Sequence, residues 1–273
     1  VSEGKRVRWE LTLLAYLAAG VMFFPIFWMF LTGFKSEGDA IAIPPKLLFT
    51  PTLESIREAL TRSDYARHFL NSIISALGST ALALLLAIPA AYSMAFYPTK
   101  RTNGTLLWMI STKMMPPVGV IIPVYLIFRD LRWLDNIWAL TLMYAVMNLP
   151  VVVWTLYAYF REIPHEIMEA ARVDGAGTSQ ELMRVLLPVS GPAVASAALL
   201  SIILAWNEAF WSLNLTSAQA SPLSVYVASF KTAEGLFWAK MSAASMIAIF
   251  PVMVMGWLAQ RQLVRGLTFG AIK

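Results

Sequence analysis

Few side chains in this sequence have the type and spacing to do chemistry, and those few point to holding and moving a solute rather than to breaking a bond. Glu208 and Lys113 are the charges that fall inside long apolar runs. A carboxylate at the middle of a bilayer costs roughly 2.5–3.5 kcal/mol on insertion scales, so Glu208 is expected to face protein or water. On a helix through 191–215, Asn207, Trp211 and Asn214 share one face, with Glu208 and Ser212 beside it. Aromatic surface flanked by amides and a carboxylate suits a sugar or polyol, whose C–H faces stack on rings while its hydroxyls find hydrogen-bond partners. Contact with a solute path is favoured somewhat over the bland reading, a glutamate that pairs with a partner membrane subunit to hold the helices together. Tyr144 and Asn148 are four apart and share a helical face, and Pro150 frees a carbonyl near them. A solute contact and an interhelical hydrogen bond both fit that pair. Lys113 can snorkel to the aqueous boundary. No metal site is expected: there is no cysteine, and His68 and His165 are far apart without partners at ligand spacing. The phosphate-binding pattern G-x-x-x-x-G-K-[ST] is absent, so the chain is not expected to bind or hydrolyse ATP or to be an enzyme.

A second group of residues reads as mechanical. Between two apolar runs lies the polar segment 161–190, with Glu169-Ala170-Ala171, Asp174-Gly175 and Leu187-Pro188. Pro164 suits a first helical turn, and Glu166 and Glu169 favour the positive end of the helix dipole. The helix is expected to run to about Val173 and to stop where Gly175 takes a left-handed cap. Thr178 and Glu181 match a capping box for a second helix that carries Leu182, Val185 and Leu186. The result is a helix–turn–helix hairpin with Ile163, Ile167, Ala170 and Ala171 on its apolar side and Glu169, Arg172 and Asp174 as a charged rim. Either another protein grips this hairpin, or it rests on its own membrane domain.

The elements that position these residues follow from composition. Of 273 residues, 58% are hydrophobic and only 14% charged, far less charge than a soluble domain carries. The apolar residues gather in blocks near the 20 or so that cross a bilayer as helix. Six spans are predicted, at about 11–34, 70–97, 105–128, 136–160, 191–215 and 241–260, in a single domain over 1–273. The first is longer than a secretory leader core and lacks its cleavage pattern. Met115-Pro116-Pro117 must kink or break the third. The basic N-terminal cluster, Lys100-Arg101, and Arg261 with Arg265 flank spans closely, which places both termini and the 161–190 hairpin on the cytoplasmic side. Segments 35–69 and 216–240 are then the large outer loops. The net charge of +5 reads as topology and lipid contact, not nucleic acid. The fold class is an all-α membrane protein.

The 169–188 segment resembles the EAA motif of permease subunits in binding-protein-dependent ABC importers, with Val185 where the family commonly has isoleucine. Asn71-Ser72, Met115-Pro116-Pro117, Asn148-Leu149-Pro150, Trp206-Asn207-Glu208 and Pro251 extend the likeness along the chain. The tail from Val264 to Lys273 is similar to that of MalG-like permeases of the carbohydrate uptake group. The resemblance implies that Glu169, Ala170, Ala171, Asp174, Gly175, Leu187 and Pro188 couple to an ATPase subunit. It also implies that Arg265, Gly266, Thr268, Gly270 and Lys273 contact the ATPase pair. The implied partners are a second permease in a heterodimer, two ATPase subunits that hold ATP and magnesium, an extracytoplasmic solute-binding protein, and a sugar or polyol as cargo. The implied location is the bacterial cytoplasmic membrane. An ion-coupled secondary transporter using Glu208 is the alternative.

Overall fold

The computed structural model describes residues 9–62, 64–232 and 235–268. Its helices in chain order are α1 (Trp9–Gly33), α2 (Glu37–Ala40), α3 (Glu54–Thr61), α4 (Tyr65–Phe96), α5 (Thr102–Met114), α6 (Ile121–Asp130), α7 (Ile137–Phe160), α8 (His165–Val173), α9 (Thr178–Gln180), α10 (Leu187–Val189), α11 (Gly191–Trp206), α12 (Phe210–Leu215), α13 (Leu223–Ala228) and α14 (Trp238–Thr268). The residue pairs β1 (Lys231–Thr232) and β2 (Gly235–Leu236) form a short antiparallel ribbon.

Among the described residues, four helices are long and apolar enough to cross a bilayer: α1, α4, α7 and Trp238–Trp257 of α14. A fifth crossing arises if the helical segment Thr178–Val189 and α11, bent by 81°, count as one span. Two of the six expected runs are discontinuous. Over 105–128, α5 stops at Met114, Met115 is extended (φ −70°, ψ 127°), Pro117–Gly119 makes a 3₁₀ turn, and α6 resumes at Ile121. The two prolines supply no N–H donors and push the preceding residue out of helical geometry. Over 191–215 the expected single helix is also wrong: α11 ends at Trp206 and α12 starts at Phe210.

The chain forms two compact units. The larger holds 66–226 and residues from 250 on. Its core lies where α4 meets α7 and α11. Ala83, Ala87, Ala91 and Ala95 make a four-residue ridge along α4, packed with Val152, Val153, Leu156 and Ala197. Small residues let helix backbones approach closely, which supplies packing where the lipid gives no hydrophobic drive. Gly78 continues the close approach: a Cβ there would sit 2.9 Å from the Thr141 γ-methyl. Thr80, Ser201 and Asn148 bond across the same helices, Thr80 Oγ1 to Ser201 Oγ at 3.0 Å and Asn148 Nδ2 to the Ser201 carbonyl at 3.4 Å.

The smaller unit holds residues up to 65 together with 227–249. Gly33 lets α1 approach α14, since a Cβ would meet the Ala243 backbone at 3.3 Å. Glu37 accepts from the Ala239 and Lys240 amides (3.1 and 3.0 Å). A carboxylate is favoured at such a helix start. Lys240 in turn pairs with Glu58 at 2.8 Å. Lys35 is buried, with its ammonium 4.4 Å from the Trp28 ring centroid and 5.2 Å from that of Phe49, a cation–π arrangement that offsets part of its desolvation.

At the end of the larger unit remote from α8, Asp135 clasps the segment after α12. Its carboxylate accepts from the Ser217, Gln219 and Ala220 amides at 2.9 to 3.1 Å and from the Ser217 hydroxyl at 2.8 Å. Burial opposes its ionisation, but these donors outweigh burial and bring the carboxyl to about 2 from the ordinary 3.8. A depressed carboxylate stabilises fully above its unfolded value and loses that contribution as pH falls through the folded one. The Ser217, Gln219 and Ala220 amides are therefore expected to stay protected from hydrogen exchange above about pH 4 and to lose protection toward pH 2. Asp135→Ala should expose them at every pH. Protection unchanged in Asp135→Ala would refute the clasp.

Candidate functional site: the polar hairpin and the break at Glu208

The hairpin forms for local reasons. Pro164 (φ −55°, ψ 130°) stands just before the first helical residue of α8. At the other end Gly175 takes φ +83°. Its N–H reaches the Arg172 carbonyl at 3.0 Å, and the Ala176 N–H reaches the Ala171 carbonyl at 2.9 Å. That is the paired bonding of a Schellman end, which glycine adopts without a Cβ penalty. The second arm differs from expectation. Gly177 is the residue before the helix, and its N–H is held by Gln180 Oε1 at 3.1 Å. The Thr178–Glu181 box does not form, because the helix starts one residue earlier than that box requires and Gln180 fills its third position.

Glu181 is freed by that shift and turns inward, where it is only 2% exposed. Tyr92 near the end of α4 donates its hydroxyl to Glu181 Oε2 at 2.6 Å. Arg172 on α8 donates to both carboxylate oxygens, at 2.9 and 3.2 Å, the two-pronged geometry at which arginine excels. The guanidinium also lies 4.9 Å from the Tyr97 ring centroid. The Arg172 bond holds the Glu181 carboxyl below its usual range against its burial, with Tyr92 assisting, and Glu181 raises Arg172 in return. Arg172 is exposed, as expected of the rim, but its guanidinium turns to the buried Glu181. It joins both arms of the hairpin to the end of α4. Met168, Leu186 and Ile163 are buried beneath, and His165 packs edge-on against Phe96, ring centroids 5.2 Å apart.

The opposite side of the hairpin is open. Glu169, Ala170, Asp174 and Gly175 are exposed and Ala171 half-buried. Val173 is 88%, Met183 60% and Ile167 38% exposed. Together with the acidic Glu169 and Asp174 they make up the exposed crest of the hairpin. The expected apolar side therefore splits: Ile163 packs inward, while Ile167 and Ala170 face out. Leu187 is half-buried and Pro188 exposed. Between α9 and α10, residues Glu181–Leu186 form a π-turn, with the Leu187 N–H reaching back to the Leu182 carbonyl. Pro188 has no N–H for the ladder, and a widened turn accommodates the lost bond.

The fifth run breaks where its acid is. Glu208 Oε1 accepts the Trp211 N–H at 2.9 Å and so caps α12. The Glu208 carbonyl, freed from helix bonding, accepts from the hydroxyls of Tyr144 (3.2 Å), Ser212 (3.2 Å) and Ser224 (2.7 Å). Asn207 and Asn214 are exposed and Glu208 half-buried, whereas Trp211 and Tyr144 are buried. Asn148 is fully enclosed, and its Oδ1 has no partner among the described residues. The structure thus brings Tyr144 to Glu208 but keeps Asn148 with Ser201. It does not give the shared helical face on which Asn207, Trp211 and Asn214 were expected to align with Glu208. Arg265, Gly266 and Thr268 fall on the last turns of α14; their side chains, and Gly270 and Lys273 altogether, lie outside the described residues.

The larger unit thus carries a polar hairpin fixed to apolar helices and a helical break at Glu208. Residues 87–267 match the model of the binding-protein-dependent transport system inner membrane component. The chain belongs to this family and is an ABC importer permease subunit of the inner membrane. It is 32% identical to the diacetylchitobiose uptake system permease protein DasC of Streptomyces coelicolor, over 92% of this chain and 91% of that one. It is also 32% identical to the trehalose/maltose transport system permease protein MalG of Thermococcus litoralis, over 95% and 94%. Its fold matches a chain of a bacterial ABC transporter involved in import of the acidic polysaccharide alginate, with TM-score 0.76 and 22% identity, covering 96% of this chain and 98% of that one.

Proposed function

We propose that this permease imports a sugar or sugar alcohol and that the α8–α10 hairpin is where ATP-driven motion enters. The chain crosses the membrane six times with both termini in the cytoplasm, the third and fifth crossings each being a broken helix. It pairs with a second permease, two ATPase subunits holding ATP and magnesium, and an extracytoplasmic solute-binding protein. The observation that supports the coupling role is the exposure of Ile167, Val173 and Met183 together with Glu169, Ala170 and Asp174 on the hairpin. The family relatives named for diacetylchitobiose and for trehalose or maltose support the solute class. Closure of the ATPase pair moves the hairpin, tilts α11 and alternates access along a path that includes Asn207 and Glu208. The tail from Arg265 to Lys273 adds a second contact with the ATPases.

Copurification tests this reading. The ATPase subunit is expected to elute with the wild-type permease and to be released by Gly175→Asp or Glu169→Lys. The first adds charge and a Cβ at φ +83°; the second reverses charge on the exposed crest. Transport should fall by about tenfold or more, as for loss of roughly 1.4 kcal/mol of docking free energy. Uptake that persists in vesicles lacking any ATPase would instead favour ion-coupled transport through Glu208.

A further inference from the structure

We propose that a cleft at the start of α5 is a binding site for the headgroup of an anionic glycerophospholipid. The cleft holds about 460 Å³ and is lined by Lys100, Arg101, Gly104, Thr105 and Trp108. It lies at the hairpin end of the larger unit, because the preceding α4 delivers Phe96 to His165 and Tyr97 to Arg172. Among the described residues neither Lys100 nor Arg101 has a carboxylate at ion-pair distance. Two uncompensated cations at one mouth of a cleft select an anion. Trp108 at the other end is 67% exposed. Seven residues separate Arg101 from Trp108, about 10 Å along a helix. That spacing puts phosphate at the cations and the first acyl carbons at the indole, a ring that favours the interfacial depth. Gly104 makes the notch between them: a Cβ there would meet nothing within 4 Å, so the space is open to a ligand and not filled by protein. Thr105 offers a hydroxyl to the phosphate or glycerol oxygens. Basic pockets at the cytoplasmic ends of spans bind such headgroups. The membrane side assigned here rests on the orientation proposed above; the ligand chemistry does not.

Native mass spectrometry of the whole transporter, purified from phosphatidylcholine nanodiscs doped with phosphatidylglycerol, tests the site. The wild type is expected to retain phosphatidylglycerol selectively. At about fivefold per basic residue near a membrane surface, Lys100→Ala with Arg101→Ala should cut that enrichment by about thirtyfold. Gly104→Leu fills the notch without changing charge and should also abolish selective retention. The equal charge loss Arg129→Ala with Arg132→Ala, at the remote end of the unit, should leave it intact. Retention unaffected by Gly104→Leu, or lowered as much by the remote pair, would mean diffuse attraction and overturn the proposal. Displacement by inorganic phosphate at millimolar concentration would assign the cleft to free phosphate and overturn it as a lipid site. None of these readouts depends on transport, so a failure here is distinguishable from a failure of the coupling reading.

Discussion

Tyr92→Phe and Glu181→Ala are expected to separate ATP hydrolysis from transport while leaving the complex assembled. Neither residue belongs to the exposed crest proposed to meet the ATPase. Their bond, 2.6 Å long and buried, fastens the hairpin to α4. Losing a hydrogen bond to a charged acceptor costs about 1.5–3 kcal/mol. If the hairpin can stand fastened or loose, that loss lowers the fastened population by about ten- to a hundredfold relative to the loose one. In reconstituted vesicles, solute moved per ATP should fall for both variants, and more for Glu181→Ala, which also strips Arg172 of its partner. Glu181→Gln should give an intermediate result, since it keeps the shape but not the charge. Because Arg172 holds the Glu181 carboxyl below its ordinary value, the fastening is complete at neutral pH and is lost only as pH falls through that lowered value. A transport-to-hydrolysis ratio unchanged in Tyr92→Phe and Glu181→Ala would sink the idea that this bond carries force.

The second large effect is on stability. Gly78→Ala puts a methyl group 2.9 Å from Thr141 Cγ2. Thr141 cannot turn away freely. It is buried, β-branched, and its Oγ1 is bonded to the Ile137 carbonyl at 2.7 Å. Overpacking of this kind costs about 1–3 kcal/mol, and Gly78→Leu should cost more. The diagnostic variant is Gly78→Ala combined with Thr141→Ser, which removes the clashing methyl and keeps the hydroxyl. It should recover most of the lost thermal stability in detergent, so the two changes should be non-additive. Additive losses would mean that α4 and α7 do not meet through this pair.

What could be read from the sequence depended on how far apart the deciding residues lie. The hairpin was legible because Pro164 and Gly175 act on their own backbone. The break in the third run was legible because Pro116-Pro117 removes two donors in a row. The break in the fifth was not. No proline or glycine occurs over 207–209, and the helix yields there to a side chain capping the next helix and to hydroxyls from α7 and from the segment beyond α12. Glu181 was misassigned because its partner Tyr92 is 89 positions away, while a nearer pattern, Thr178 to Glu181, offered a plausible local role. The Asp135 clasp was missed likewise, its partners being 82 to 85 positions off. The alanine ridge at 83, 87, 91 and 95 was available as a four-residue repeat, but its meaning required knowing which helix it faced.

The 81° elbow between Thr178–Val189 and α11 has a geometric consequence. The arms, 12 and 16 residues, are about 18 and 24 Å long at helical rise, and they meet without an intervening loop. Such a body behaves as a bell crank: a push on the short arm becomes a sweep of the long one. Pivoting by about 10° at Ser190 would carry the far tip some 4 Å sideways (24 Å of helical rise times the sine of the angle). The tip is Trp206, so the displacement would reach the unwound Asn207–Ala209 stretch, where the Glu208 carbonyl holds the hydroxyls of Tyr144, Ser212 and Ser224.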